Sequence, residues 1–194
     1  MKRNILLILA VFVIQKANAQ LNVFMKAGGN FSGYSFNDES AERVANYDWG
    51  GGFQIGLLGL CDISEKVNIS SEFIFVEKGA DSENLYYINL PIFIGYRLGN
   101  FNVEAGIESG LLLFGRNDYD VNVAKSPYAK RADLSILVGS SYFVNEKITV
   151  NLRYILGVIP SIAYPNLAQF DDRMVKIFNR SIQVSLSYKI RDAN

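Results

Sequence analysis

Eight charged side chains interrupt otherwise apolar stretches: Lys26, Glu72, Arg97, Glu104, Glu108, Asp133, Arg153 and Lys189. Carboxylates in such settings can do acid–base work when two of them flank a substrate. Glu104 and Glu108 share a face of an extended segment, but four residues of strand separate them by about 13 Å. Glycosidase carboxylate pairs stand about 5–9.5 Å apart. The chain has no histidine, which excludes a Ser-His-Asp triad, a Cys-His pair and a His-ligated zinc site. Asn117, Asp118, Asp120 and Asn122 approach the spacing of a calcium loop, without its glycine and its terminal glutamate. They read as a solvated loop. No catalytic, cofactor-binding or metal-ligating residue is assigned, and no cofactor is expected. The eight charges read as structural partners of one another.

The elements that carry these charges are strands. The clearest is Leu85–Phe114, two long segments joined at Leu98–Asn100. Tyr86, Ile88, Leu90, Ile92, Ile94, Tyr96 and Leu98 fall on one face of the first, with Asn89, Phe93, Gly95 and Arg97 on the other. Side chains alternate across a strand, so this is a hairpin with one apolar face. Six further strands follow the same logic. The eight expected strands are Leu21–Gly29, Gly52–Asp62, Val67–Glu77, Leu85–Leu98, Phe101–Phe114, Ala132–Phe143, Ile148–Ile159 and Ser181–Ile190. Short connections (Ile63–Lys66, Gly99–Asn100, Val144–Lys147) alternate with long ones (Asn30–Gly51, Lys78–Asn84, Gly115–Arg131, Pro160–Arg180).

The N-terminus adds a location. Lys2 and Arg3 precede an apolar run from Ile5 to Ile14 and then Ala17-Asn18-Ala19. That is the pattern of a secretory signal peptide, and the run is half of what a membrane-spanning helix needs. Residues 1–19 are therefore expected to be a signal peptide and 20–194 one barrel domain. The only cysteine, Cys61, stands far from the cleavage site, so a lipid anchor there is excluded. Without Lys2, Arg3 and Lys16 the chain has 16 basic and 19 acidic side chains, a charge of −3. No nucleic-acid partner fits that balance.

Short turns at one end and long loops at the other match an all-β, eight-stranded, up-and-down antiparallel transmembrane β-barrel, with periplasmic turns and extracellular loops. Ten residues of tilted strand suffice to cross a membrane. The polar faces are rich in small residues such as Gly56, Gly95, Gly106, Gly139, Ser135 and Ser185, which suits the narrow interior of eight strands. Tyr86, Phe75, Tyr96, Phe101, Tyr142 and Tyr188 lie where interfacial girdles belong. The apolar faces then meet outer-membrane lipid and the charges point inward. Lys26, Arg153 and Lys189 would face Glu72, Glu104, Glu108 and Asp133 across the lumen, with Arg97 completing four charges of each sign. A soluble barrel would invert the faces. In the first loop Asp38–Tyr47 is a candidate helical cap, and Tyr34, Phe36, Tyr47 and Trp49 are candidates for binding a sugar or protein or for packing over the barrel mouth.

The segment YYINLPIFIGYRL (Tyr86–Leu98) resembles the PorT-type outer-membrane β-barrel family of Bacteroidetes-like bacteria, in its Leu-Pro core and its Gly-Tyr-Arg continuation. The following FNVEAGIESGLLL, the opening KAGGNFS and the terminal SIQVSLSYKI are similar to that family as well. The resemblance implies a small outer-membrane barrel from a functionally mixed family. A bulge is expected at Pro91, which cannot donate to a ladder. The functional expectation is a non-enzymatic barrel with a plugged polar lumen, structural or interacting with an envelope or extracellular protein through its long loops. The alternatives are a porin-like small-solute channel and a soluble exported ligand-binding barrel.

Overall fold

Alternating sequences leave half of each strand apolar, and the backbone ladder needs a partner on both edges. A closed sheet meets both demands. The computed structural model describes residues 21–37, 49–79, 83–117, 130–165 and 174–192. Its strands are β1 (Leu21–Phe36), β2 (Gly50–Asp62), β3 (Val67–Lys78), β4 (Glu83–Leu98), β5 (Phe101–Asn117), β6 (Ala132–Phe143), β7 (Ile148–Gly157), β8 (Ile162–Pro165) and β9 (Met174–Arg191). From β1 to β7 neighbours in sequence pair antiparallel, β7 and β8 both pair with β9, and β1 pairs with β9 to close the barrel. The expected signal peptide, the candidate cap at 38–47 and the Asp118–Asn122 cluster lie outside the described residues.

Eight staves close the wall, because β7 and the short β8 follow one another along the same stave beside β9. The ladder between β7 and β9 ends at Leu156↔Arg180. β8 resumes it from Ile162↔Ile177 to Pro165↔Met174. Pro160 stands in the gap, where its missing N–H removes no ladder bond. The amides of Val158 and Ile159 donate to Leu134 O instead. The segment Pro160–Arg180, expected as a loop, thus holds β8 and the start of β9. β1 and β5 also run past their expected ends, to Phe36 and Asn117. Beyond the lipid a strand has no apolar side to keep, so the alternation that marks it fades.

The turns are closed by local chemistry. Leu98 and Phe101 are ladder partners, so Gly99-Asn100 is a two-residue turn. Gly99 has φ +62°, which glycine adopts without steric cost. Asn145 Oδ1 accepts from the amides of Lys147 and Ile148, both at 2.8 Å. Pro91 sits in the ladder without the expected bulge: it faces Glu108, and the register shift falls between Tyr86 and Tyr87. On its other side the β3 ladder passes over Leu90 and Pro91 and resumes in the same register. The missing N–H therefore costs a gap and not a change of face.

The faces fall as the membrane reading requires. Ile94 is 58% exposed and Phe93 beside it 2%. Met25, Leu57, Ile92, Ile107, Val138 and Val184 all point outward, the reverse of a soluble ligand-binding barrel. Phe53, Phe75, Tyr86 and Phe114 form a ladder of rings toward the loop end, with successive centroids 6.0, 5.9 and 4.6 Å apart. Phe101 and Tyr142 meet at 4.8 Å toward the turn end, where Tyr96 and Tyr188 also stand outward. From Tyr86 to Tyr96 the strand rises about 33 Å, or about 25 Å along the barrel axis at a tilt near 40°. That matches the apolar band of a membrane barrel.

Ile92→Arg and Val184→Arg, between the girdles, should each destabilise the barrel by about 2–4 kcal/mol. Ser70→Ala, which removes a buried lumen hydroxyl without a hydrogen-bond partner among the described residues, should change stability by less than about 1 kcal/mol. Urea unfolding of the refolded protein in lipid measures all three. A lumen change costlier than both arginines would reverse the faces.

Candidate functional site

The inward positions stack into layers. Nearest the turns, Phe24, Leu60, Asp62, Arg97, Phe143 and Lys189 surround a recess of about 460 Å³. Above it Phe24, Leu58, Leu60, Phe93, Leu137 and Ile155 form an apolar cluster contributed by β1, β2, β4, β6 and β7. A second apolar cluster, Tyr34, Ile74, Val76, Leu85, Tyr87, Leu112 and Ile177, lies toward the loop end. Buried charges occupy two further groups.

The first group is centred on Arg153. Its Nη1 donates to Glu72 Oε1 at 2.8 Å and its Nε to Glu104 Oε2 at 2.9 Å. Lys26 Nζ donates to Glu72 Oε2 at 3.0 Å. All four side chains are at most 3% exposed. β7 and β3 are four staves apart in either direction round the wall, so Arg153–Glu72 spans the full width of the barrel. The guanidinium also lies 4.3 Å from the centroid of the Phe93 ring, a cation–π contact strengthened by burial. Room for these groups comes from glycine partners in register. A Cβ on Gly139 would come within 2.6 Å of Arg153 Cγ, and one on Gly106 within 2.5 Å of Phe93 Cβ. Ser141 Oγ donates to Glu104 Oε1, and Asn102 Nδ2 donates to the same oxygen at 3.3 Å. Asn68 donates in turn to Asn102 Oδ1 at 2.9 Å.

The second group is centred on Lys78. Its Nζ stands 2.9 Å from Glu108 Oε1 and 3.5 Å from Asp133 Oδ2. Asn89 Nδ2 donates to Glu108 Oε1, and Asn179 Nδ2 donates to Asp133 Oδ2 at 3.0 Å. Asn179 also reaches the Tyr87 hydroxyl at 3.5 Å, from the stave opposite β4.

Six of the eight expected charges are therefore inside, but in two groups. Lys26, Glu72, Glu104 and Arg153 are together; Glu108 and Asp133 are apart from them. Arg97 and Lys189 stand at the turn-end mouth. Arg97 pairs with Asp62 at 3.1 Å, their side chains 32% and 40% exposed. Lys189 pairs with Asp192 at 3.2 Å and lies 5.7 Å from the Phe24 centroid. Among the described residues the buried charges are three cations, Lys26, Lys78 and Arg153, against four carboxylates, Glu72, Glu104, Glu108 and Asp133. The expected four-to-four balance gives way to this unequal set. Lys78 was missed because the expected strand stopped at Glu77; its place two residues after Val76 on the inward face was the available signal. The loop aromatics separate too: Tyr34 joins the upper apolar cluster, while Trp49, 46% exposed, lays its ring 3.2 Å from where a Gly33 Cβ would stand. Cys61 is a free, half-buried thiol on the outward register of β2.

A closed antiparallel barrel with a membrane-height apolar belt and a filled polar interior is the architecture of small outer-membrane proteins. Residues 14–163 match the family model described as outer membrane protein beta-barrel domain, and the chain belongs to that family. Among solved structures, Neisserial surface protein A superposes with a TM-score of 0.55 at 11% identity, over 87% of this chain and 97% of that one. Ail from Yersinia pestis gives 0.48 at 11%, over 88% and 99%. OprG from Pseudomonas aeruginosa gives 0.45 at 11%, over 88% and 96%. The likeness to the Neisserial protein shows a shared fold. No curated protein sequence matches the chain.

Glu72→Leu leaves Lys26 short of its carboxylate partner and Arg153 with only Glu104. It should cost about 3–5 kcal/mol, because the stranded charges stay buried. Lys26→Met combined with Glu72→Leu keeps Arg153 opposite Glu104 and should recover at least half of that loss. Urea midpoints of the two refolded variants decide it.

Proposed function

We propose that the protein is a non-enzymatic outer-membrane barrel that acts as a structural or surface-interaction element, its lumen serving as a plug. The observation that carries this reading is the Arg153–Glu72 pair, which crosses the full width of the barrel with both side chains at most 1% exposed. An apolar cluster packs on the same layer through Phe93, Leu137 and Ile155. A second apolar cluster fills the lumen nearer the loops. Conduction needs a hydrated path with sites weak enough to leave, and charges paired across the lumen and packed against apolar side chains offer none. The hairpin Tyr86–Leu113 favours the PorT-type branch of the family. The signal-peptide pattern of residues 1–19 supports export, and outer-membrane lipid is the partner of the apolar belt. The long connections 38–48, 118–129 and 166–173 would carry contacts with an envelope or extracellular protein.

The recess at the turn end favours a second reading, a small-solute channel. It is lined by Asp62, Arg97, Glu146 and Lys189 and reaches Phe24 and Leu60.

The purified protein in a planar bilayer should give no steady single-channel steps. Arg153→Ala should lower the melting temperature clearly while leaving current near baseline. Reproducible steps whose ion selectivity shifts in Arg153→Ala would instead establish the channel.

A further inference from the structure

The charge of the Lys78 group does not close. One ammonium faces two carboxylates, and all three side chains are at most 2% exposed. The donors present converge on one oxygen of each acid: Lys78 and Asn89 on Glu108 Oε1, Lys78 and Asn179 on Asp133 Oδ2. The second oxygens, Glu108 Oε2 and Asp133 Oδ1, are buried and receive no hydrogen bond among the described residues. Asn89 Oδ1 and Ser135 Oγ, on side chains 1% exposed, are likewise without a partner there. Among the described residues the other buried cations, Lys26 and Arg153, are engaged with Glu72 and Glu104.

These four oxygens belong to adjacent staves. Ser135 is the register partner of Glu108, and Gly110 lies between Asn89 and Asp133 as the partner of both. The position a Gly110 Cβ would take is 2.7 Å from Asn89 Oδ1 and 3.3 Å from Asp133 Cβ. The amide oxygen thus reaches over the bare glycine to the side of Asp133. Two carboxylate oxygens, an amide oxygen and a hydroxyl make a hard, all-oxygen donor set suited to alkali and alkaline-earth cations. An uncompensated negative charge in so dry a place is costly. A single positive charge neutralises the group, whereas a divalent ion would overshoot it. Among the described residues no three acidic side chains converge as a divalent site would ask.

We propose that Asn89, Glu108, Asp133 and Ser135 form a buried monovalent-cation site in the upper lumen, with Lys78 fixing the two carboxylates. A bound proton would supply the same charge, and the test separates the two. The refolded full chain in lipid nanodiscs is melted in choline, lithium, sodium, potassium or calcium chloride at one ionic strength, at pH 8 and at pH 5. Sodium or potassium should raise the melting temperature over choline at pH 8, saturably, by about 5 °C at high occupancy. Asp133→Asn should abolish that difference and melt in choline no lower than the unaltered protein. Glu104→Gln, in the other charge group, should melt lower yet keep the full response. Should Asp133→Asn fail to refold, Ser135→Ala and sodium NMR line broadening competed by potassium supply the same information. Equal melting in choline and every alkali chloride would overturn the proposal. So would a response to pH alone, which assigns the charge to a proton, or a response to calcium alone.

Discussion

The guanidinium of Arg153 is the constraint around which the interior is arranged. An eight-stranded barrel is only wide enough for side chains to fill. A charge placed at its centre loses water and must find its hydrogen bonds in the protein. Arginine suits the position better than lysine, because its fixed planar fork can address two carboxylates and stack on a ring at once. Glu72 and Glu104 take two of its edges and Phe93 one face. Each partner comes from a different stave, so one residue joins β7 to β3, β5 and β4. Gly139 and Gly106 are required beside it, since larger residues there would occupy the space of Arg153 and Phe93.

The outside and the inside of the wall solve opposite problems with the same alternation. Outward side chains meet lipid, so they need only be apolar and of membrane height. Inward side chains meet one another and must fit. That difference shows in how much of each was legible in the sequence. Periodicity of two located every stave, the turns and the lipid face. It did not reveal the apolar layers of the lumen, because it was read as one apolar face per strand. The runs Ile74-Phe75-Val76, Leu111-Leu112-Leu113, Ile136-Leu137-Val138 and Tyr154-Ile155-Leu156 carried the missing signal. Three consecutive apolar residues in a strand place apolar groups on both faces, and Ile74, Val76, Leu112, Leu137 and Ile155 are all inside. Charge pairing was less legible still. Glu72 and Arg153 are 81 residues apart, and only the closed register tells that they face each other.

Pro91 shows where local rules and the sheet disagree. A proline in the middle of β4 argues against a strand when read alone. The sheet absorbs it because Pro91 faces Glu108 in an unbroken register on one side and the ladder to β3 skips it on the other. The strand keeps its faces, and Asn89 and Phe93 on either side of the proline both remain inward. One lies in the Lys78 group and the other under Arg153, so an added residue between them would have turned one of the two outward.

The order of the layers explains why the charges are stable where they are. The Arg153 guanidinium lies 4.3 Å from the centroid of Phe93, a member of the apolar cluster with Leu137 and Ile155, and Lys78 Nζ lies 5.4 Å from the centroid of Tyr87 in the upper apolar cluster. Low-polarity neighbours raise both the cost of an unpaired charge and the worth of a paired one. The Arg153 group answers this with two charges of each sign. The Lys78 group, with one cation to two anions, leaves two buried carboxylate oxygens without a hydrogen bond among the described residues. The same wall thus carries one polar layer whose buried charges balance and one that balances only with an additional positive charge. The second sits nearer the long connections, the side from which an ion of the surroundings would enter, and the first separates it from the recess at the turns.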